Sequence, residues 1–232
     1  MEVAPAVESH RERATPMQRL LAAVSEFLVG FVRLGTLTLI LLPILLASFL
    51  TVDIPVRVLD HYFTMDAMRP GNWLSRGDLF MALGAMAGVL IARRFGGDEA
   101  ARAITAAWGL AALATFAGVA YLAPQLSPGD MPAGRYVAAF VLAAMMGQYL
   151  AVGLFDVLRG GTDWWRAPLY ALLAGYAVHV ILFYSIAYWG SPTPWANWMA
   201  TDFSLKAALA VAFLWPYRQL RRRLKPRGGL GG

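Results

Sequence analysis

Long apolar runs alternate with short polar joints along the chain. Six of these runs approach the roughly 20 residues that a helix needs to cross the hydrocarbon core of a bilayer. The apolar residues are continuous and rich in Ala, Leu and Gly, which is typical of helices, whereas barrel strands alternate apolar and polar positions. The pattern predicts an all-α, six-transmembrane-helix integral membrane protein with spans at residues 31–51, 73–92, 103–123, 136–158, 168–189 and 203–220.

The joints between these runs contain Gly, Pro, Ser and Asp, residues that break regular structure. Lys and Arg are concentrated in the two chain ends and in alternate joints, around residues 93–102 and 159–166. Because cytoplasmic loops collect these residues, both termini are expected in the cytoplasm. The basic segment 221–225 then serves as a topology signal and a contact for anionic lipids rather than as a nucleic-acid patch.

The N-terminal segment carries its own helix signal. Thr15, Pro16 and Gln18 have the spacing of a capped helix start. Apolar residues recur with helical spacing from Met17 to Leu28, which predicts an amphipathic helix at the inner leaflet. Charges continue as far as Glu26, which argues against a cleavable signal peptide. We therefore divide the chain into a tail with this helix (1–30), a transmembrane domain (31–220) and a basic tail (221–232).

Composition narrows the function class. Of the 232 residues, 59% are hydrophobic and 15% are charged, whereas soluble domains have roughly 45–50% and about 25%. The chain has no cysteine, which excludes disulfides and thiol chemistry, and its three histidines lack the spacing of metal ligands. No nucleotide-binding loop or catalytic set stands within the spans. We expect a protein without cofactor or metal that moves a small molecule and is not an enzyme.

Two polar residues lie near the centres of neighbouring spans. Gln148 is in the fourth and His179 in the fifth. An intramembrane ionisable residue costs roughly 2.5–3.5 kcal/mol, so it needs a reason to be there. The Gln amide matches the amide edge of a heterocycle, and His can take up a proton. The alternative is that both residues only join helices through hydrogen bonds.

Other polar residues mark the outer side. Asp202 and Lys206, four residues apart at the expected start of the sixth span, share a helix face. They either line a substrate entrance, or are a helix-terminal acid and a lysine that reaches outward. Asp53, at the end of the first span, is a ligand-binding acid or a solvated cap. Gly84 and Gly88 have the spacing of a helix-packing motif, and tryptophans at the span ends, Trp198 among them, are expected in interfacial belts.

Residues in the second half of the chain form a pattern shared with a known family. They are Gly147, Gln148, Phe155, Leu158, Arg159, the segments 164–168, 186–192 and 197–199, Asp202 and Lys206. This pattern resembles the queuosine precursor transporters of the vitamin uptake transporter family, and the resemblance extends from about Ser48 to the C-terminal tail. It implies six helices in the bacterial inner membrane, cytoplasmic termini and uptake of 7-deazaguanine precursors (preQ0 or preQ1) that are used to modify tRNA.

The resemblance also has departures. The family pattern has polar or acidic residues where this chain has Phe49, Val89, Ala151, Tyr176 and His179. The missing acids would weaken attraction for a cationic ligand. Gln148, Asp202 and Lys206 are retained.

Two hypotheses follow. In the first, the chain is a transporter for a deazapurine-like or vitamin-like molecule, acting alone or with an energising or homo-oligomeric membrane partner. Gln148, Tyr176 and His179 would then bind the ligand, with Asp53, Asp202 and Lys206 nearer the outer mouth. In the second, which the missing acids favour, the chain is a non-transporting assembly or accessory subunit of another membrane complex.

Overall fold

A computed structural model describes residues 15–122, 125 and 133–226. Within these ranges the regular structure is helical, in agreement with the predicted class. The chain divides into two units, residues 1–36 and 37–232, which are described separately. The long helices are α1 (Pro16–Leu50), α2 (Arg76–Phe95), α3 (Gly97–Leu122), α4 (Gly134–Leu158), α5 (Arg166–Tyr188) and α6 (Trp195–Leu220).

In the first unit, α1 begins at the predicted cap. The Thr15 backbone N–H donates to Gln18 Oε1 at 3.0 Å, and the Gln18 N–H donates to Thr15 Oγ1 at 3.3 Å. These reciprocal hydrogen bonds satisfy donors that a helix N-terminus otherwise leaves free. The helix continues past residue 31 without a break. The interfacial position of residues 16–30 stays a prediction.

Four helices are long and apolar enough to cross a membrane: α1, α3, α4 and α5. The chain is therefore a multi-pass membrane protein. The two other long helices, α2 and α6, carry the charged residues Asp78, Asp202 and Lys206. α2 and α6 therefore differ from the four apolar helices, because they carry these charged side chains.

The sixth helix begins eight residues before the predicted start. Pro194 precedes its first residue, Trp195. The first two turns contain polar residues, so they did not count as part of the apolar run from which the span was predicted. Asp202 consequently lies in the body of α6, so its charge has no place at the helix N-terminus. Most of the joint predicted between the third and fourth spans, at residues 124–135, lies outside the described residues.

Glycines set the closest helix contacts. A Cβ on Gly147 of α4 would lie 2.6 Å from the Gly175 carbonyl oxygen of α5, and one on Gly175 would lie 2.5 Å from the Gly147 oxygen. The two backbones therefore touch. A Cβ added to Gly84 or Gly88 of α2 would lie 3.0 or 3.1 Å from a side chain of α4. That closeness agrees with the packing motif predicted from their spacing.

The segment between α1 and α2 folds over one end of the helices. Residues 54–56 pair with residues 74–76 through two backbone hydrogen bonds of 2.8 and 2.9 Å. Trp198 Nε1 of α6 donates to the Ala67 oxygen at 2.7 Å, and the Tyr184 hydroxyl of α5 donates to the Trp73 oxygen at 3.3 Å. Trp198 is thus buried (6% exposed), with its indole N–H bonded to this segment. Side chains of two helices, α5 and α6, therefore hold the segment between α1 and α2 in place.

Candidate functional site

Four ionisable side chains meet in the interior of the helical unit. Asp78 comes from α2, His179 from α5, and Asp202 and Lys206 from α6. Their exposed fractions are 6%, 3%, 1% and 1%. Charged residues are rarely buried so completely unless they are paired. We call these four residues the charged cluster.

Lys206 is at the centre of the charged cluster. Its Nζ lies 2.5 Å from Asp78 Oδ2 and 2.5 Å from Asp202 Oδ1. His179 Nε2 lies 3.3 Å from Asp78 Oδ1. With both carboxylates ionised and the imidazole neutral, one negative charge is left over. Protonation of His179 would balance it.

The cap of α2 explains why Asp78 is where it is. Ser75 Oγ accepts a hydrogen bond of 3.1 Å from the Asp78 backbone N–H, so Asp78 lies in the first helical turn, where a negative charge is favoured. Sequence reasoning missed Asp78 as a site residue. A Ser followed by an acid three positions later was the available signal, but nothing local indicates that Lys206, 128 residues away, faces it.

Two atoms of the charged cluster lack a hydrogen-bond partner. Asp78 Oδ1 and His179 Nε2 are fully buried, and their 3.3 Å contact with each other does not meet the geometry of a full hydrogen bond. Buried polar atoms are nearly always hydrogen-bonded in folded proteins, so each exception needs an explanation. Among the described residues, neither atom forms a hydrogen bond with any other group.

Gln148 and Tyr176 both contact α2, the helix that carries Asp78 of the charged cluster. Gln148 Oε1 accepts from Trp108 Nε1 at 2.9 Å, whereas its Nε2 donates only to the Met81 sulfur at 3.0 Å. The Tyr176 hydroxyl donates to the Ala82 oxygen at 2.9 Å. Met81 and Ala82 lie one turn after Asp78 on α2, so three of the predicted site residues, Gln148, Tyr176 and His179, border one stretch of that helix.

Asp53 is apart from the charged cluster, in an open cavity of about 300 Å³. The rings of Tyr136 and Tyr188 also line this cavity, and so does Ser75. Because Ser75 caps the turn that carries Asp78, the cavity ends at the first turn of α2. Asp202 and Lys206 do not line it, contrary to the expectation of an exposed outer mouth that includes them.

Among the described residues, no three His, Cys, Asp or Glu side chains form a group that would hold a metal ion. In the charged cluster the Lys206 ammonium bonds both carboxylates at 2.5 Å. It thus occupies the position that a cation would take between them.

The fold and the charged cluster define a class: a helical membrane protein whose buried ionisable groups lie where substrate or ion pathways are usually found. Residues 75–219 match the family described as "putative vitamin uptake transporter". The match covers more than half of the chain. The chain belongs to this family, as its second half indicated.

One curated relative is the queuosine precursor transporter of Escherichia coli (strain K12), 32% identical over 87 residues. The alignment covers 35% of this chain and 39% of the relative, so the chain matches well under half of the relative's length. No solved structure matches the chain.

Proposed function

We propose that the chain transports a small heterocyclic compound, a 7-deazaguanine base of the queuosine-precursor type, across the bacterial inner membrane. The single observation that carries this proposal is the buried contact of Asp78 Oδ1 with His179 Nε2, two atoms without a full hydrogen bond, in a chain of the vitamin uptake family. A vitamin-like heterocycle with a similar polar edge is the second candidate substrate. Six crossings and cytoplasmic termini are part of the proposal.

The chemistry of the base fits these two atoms, if the base takes the place of their contact with each other. The guanine-type edge of a 7-deazaguanine has a ring N–H and an exocyclic amine as donors beside a carbonyl acceptor. Asp78 Oδ1 would accept from the donors, and His179 Nε2, when protonated, would donate to the carbonyl oxygen. Lys206 holds the Asp78 carboxylate in place through its other oxygen, Oδ2, and Asp202 in turn accepts from Lys206.

The remaining predicted residues have separate roles in the proposal. The 300 Å³ cavity bordered by Asp53, Tyr136 and Tyr188 would admit the base, since its volume is at the lower end of the range for small-molecule sites. Gln148 offers the second polar contact, because one of its amide hydrogens has only a weak sulfur acceptor. Tyr176 would contact the base through its hydroxyl oxygen, which can still accept a hydrogen bond while the hydroxyl donates to the Ala82 oxygen.

The test is uptake in a bacterium that has no precursor transporter of its own and cannot synthesise the base. Cells that express the chain receive preQ0, preQ1 or neither, and queuosine in tRNA is measured. We expect preQ0 to restore queuosine more than preQ1, because preQ1 carries a cationic aminomethyl group and this chain has Val89 and Ala151 where relatives are expected to have acids. A well-expressed chain that restores nothing with either base contradicts the proposal.

That negative result would favour the second hypothesis, a non-transporting accessory subunit of another membrane complex. Purification in mild detergent would then recover a stoichiometric partner chain. A chain that restores queuosine and purifies alone contradicts this alternative.

A further inference from the structure

A second cavity, of about 640 Å³, lies at the end of the helical unit where α2 and α6 terminate. Three separate segments supply its walls: the end of α2, the joint between α4 and α5, and the residues that follow α6. Five cationic side chains line it together with one carboxylate. They are Arg93, Arg159, Arg221, Arg222 and Lys225, and the carboxylate is Asp163.

Most of these cations lack an acidic partner. Asp163 is 2.8 Å from Arg166, outside the cavity lining, and Arg159 pairs with Asp156 at 3.1 Å. Within the part of the chain that the structure describes, no carboxylate forms an ion pair with Arg93, Arg221, Arg222 or Lys225. Like charges that converge on one concave surface repel each other, and a bound anion would remove that repulsion.

Contacts with aromatic rings and carbonyls hold the guanidinium groups in place. Arg221 Cζ lies 5.3 Å and Arg218 Cζ 5.8 Å from the centre of the Trp164 ring. Arg93 Cζ lies 5.9 Å from the Tyr217 ring, and its Nη2 donates to the Arg221 oxygen at 3.4 Å. These contacts order the side chains before any ligand arrives, which lowers the entropic cost of binding.

One donor in the cavity wall is left over. Arg93 Nε is buried and has no hydrogen-bond partner among the described residues. Guanidinium groups present planar forks of N–H donors that match the oxygens of a phosphate. A volume of about 640 Å³ exceeds what a single inorganic phosphate fills, so it would accommodate a phosphate group with a substituent attached.

We infer that this cavity binds the phosphate group of a phosphate ester, either an anionic phospholipid headgroup or a soluble phosphorylated compound. The site is independent of the charged cluster and of the transported base. The general preference of basic loops for one side of the membrane places lysines and arginines at such helix ends. It does not account for their convergence from three segments on one cavity.

The test is native mass spectrometry of the full chain purified in detergent, with phosphatidylglycerol or phosphatidylcholine added. We expect phosphatidylglycerol to bind at least about tenfold more tightly. The variant Arg221→Gln/Arg222→Gln should lose about tenfold in that affinity, because two cavity cations are gone. The matched control is Arg94→Gln/Arg102→Gln, which removes the same net charge outside the cavity lining and should lose less than about twofold.

Glycerol 3-phosphate identifies the source of the phosphate. If it displaces phosphatidylglycerol at micromolar concentration, the occupant is a soluble phosphate ester. If the lipid binds and glycerol 3-phosphate does not displace it, the occupant is a headgroup. Equal losses in the two double variants, or no preference over phosphatidylcholine together with no binding of glycerol 3-phosphate, would overturn the inference.

A variant that keeps charge guards against misfolding as an explanation. Arg221→Lys/Arg222→Lys retains both charges but has no guanidinium fork, so its affinity should lie between those of the wild type and the Gln variant. If the Gln variant does not elute from size exclusion like the wild type, this Lys variant and the single Arg222→Gln replace it in the comparison.

Discussion

At the scale of single residues, the charged cluster costs stability and therefore calls for a functional account. Taking charges from water is expensive, and their mutual attraction offsets that cost only when geometry and hydrogen bonds are complete. Lys206 meets the condition, with two carboxylate contacts of 2.5 Å. Asp78 and His179 do not, since their contact of 3.3 Å falls short of a full hydrogen bond. A bound substrate would supply the hydrogen bonds that this pair lacks.

The first prediction concerns Asp78. Asp78→Asn keeps the shape of the side chain but leaves Lys206 with one carboxylate, so we expect uptake to be lost and the unfolding free energy to fall by roughly 3 kcal/mol. Queuosine in tRNA and thermal unfolding in detergent are the measurements. Asp66→Asn is the control, because that carboxylate is 83% exposed. An Asp78→Asn variant with normal uptake contradicts the assigned role.

The second prediction separates binding by Gln148 from helix joining. Both Gln148→Ala and Trp108→Phe break the hydrogen bond of 2.9 Å between these side chains. If Gln148 contacts the substrate, Gln148→Ala abolishes uptake at normal protein abundance, whereas Trp108→Phe retains at least about half, since the amide is still present. Equal losses in the two variants would mean that the pair only joins α3 to α4.

At the scale of elements, the contact between α4 and α5 depends on two glycines. Their backbones meet at Gly147 and Gly175, where added carbon atoms would overlap main-chain oxygens that cannot move aside. Small residues permit such close helix contacts in membranes, where dispersion and packing replace the hydrophobic effect. The contact places Gln148 and His179, each close to one of these glycines in sequence, at a shared level of the unit.

The third prediction follows from this contact. Gly147→Ala should reduce the fraction of protein that survives heating in detergent and lower the melting temperature by several degrees, because overpacking costs typically about 1–3 kcal/mol. Gly153→Ala on the same helix is the matched control, since nothing lies within 4 Å of its added carbon. It should not lower stability. A Gly147→Ala variant as stable as Gly153→Ala would show that the helices separate without cost.

The sequence predicted the elements better than the site. Continuous apolar runs predicted the helices, and the capping residues at Thr15 predicted the start of α1. The spacing of Asp202 and Lys206 correctly gave a shared face. Their burial was not foreseen, because it depends on Asp78, which only the fold brings to Lys206. Local patterns carry no information about a partner 128 residues away.

At the scale of the whole molecule, the number of times the chain crosses the membrane decides which loops lie on which side of it. α1, α3, α4 and α5 are apolar enough by themselves. For α2 and α6 we propose that pairing within the charged cluster lowers the cost of placing Asp78, Asp202 and Lys206 in the bilayer, so that both helices cross as well.

The fourth prediction tests this topology with single cysteines, which the chain otherwise lacks. Val58→Cys and Thr162→Cys both lie at exposed positions between helices. With six crossings they are on opposite sides, so a membrane-impermeant maleimide added to intact spheroplasts should label Val58→Cys and leave Thr162→Cys unlabelled. With only four crossings both would lie on the same side. Equal labelling of the two variants therefore excludes the six-span arrangement.

The glycine contact has a mechanical consequence. A carrier must open its binding site first to one side of the membrane and then to the other, by rocking one group of helices against another. The main chains of α4 and α5 touch at Gly147 and Gly175. We therefore expect these two helices to move together as one rigid unit. For the transport cycle that we propose, the hinge would then lie where α2 and α6 meet this pair of helices, which is also where the four ionisable side chains lie.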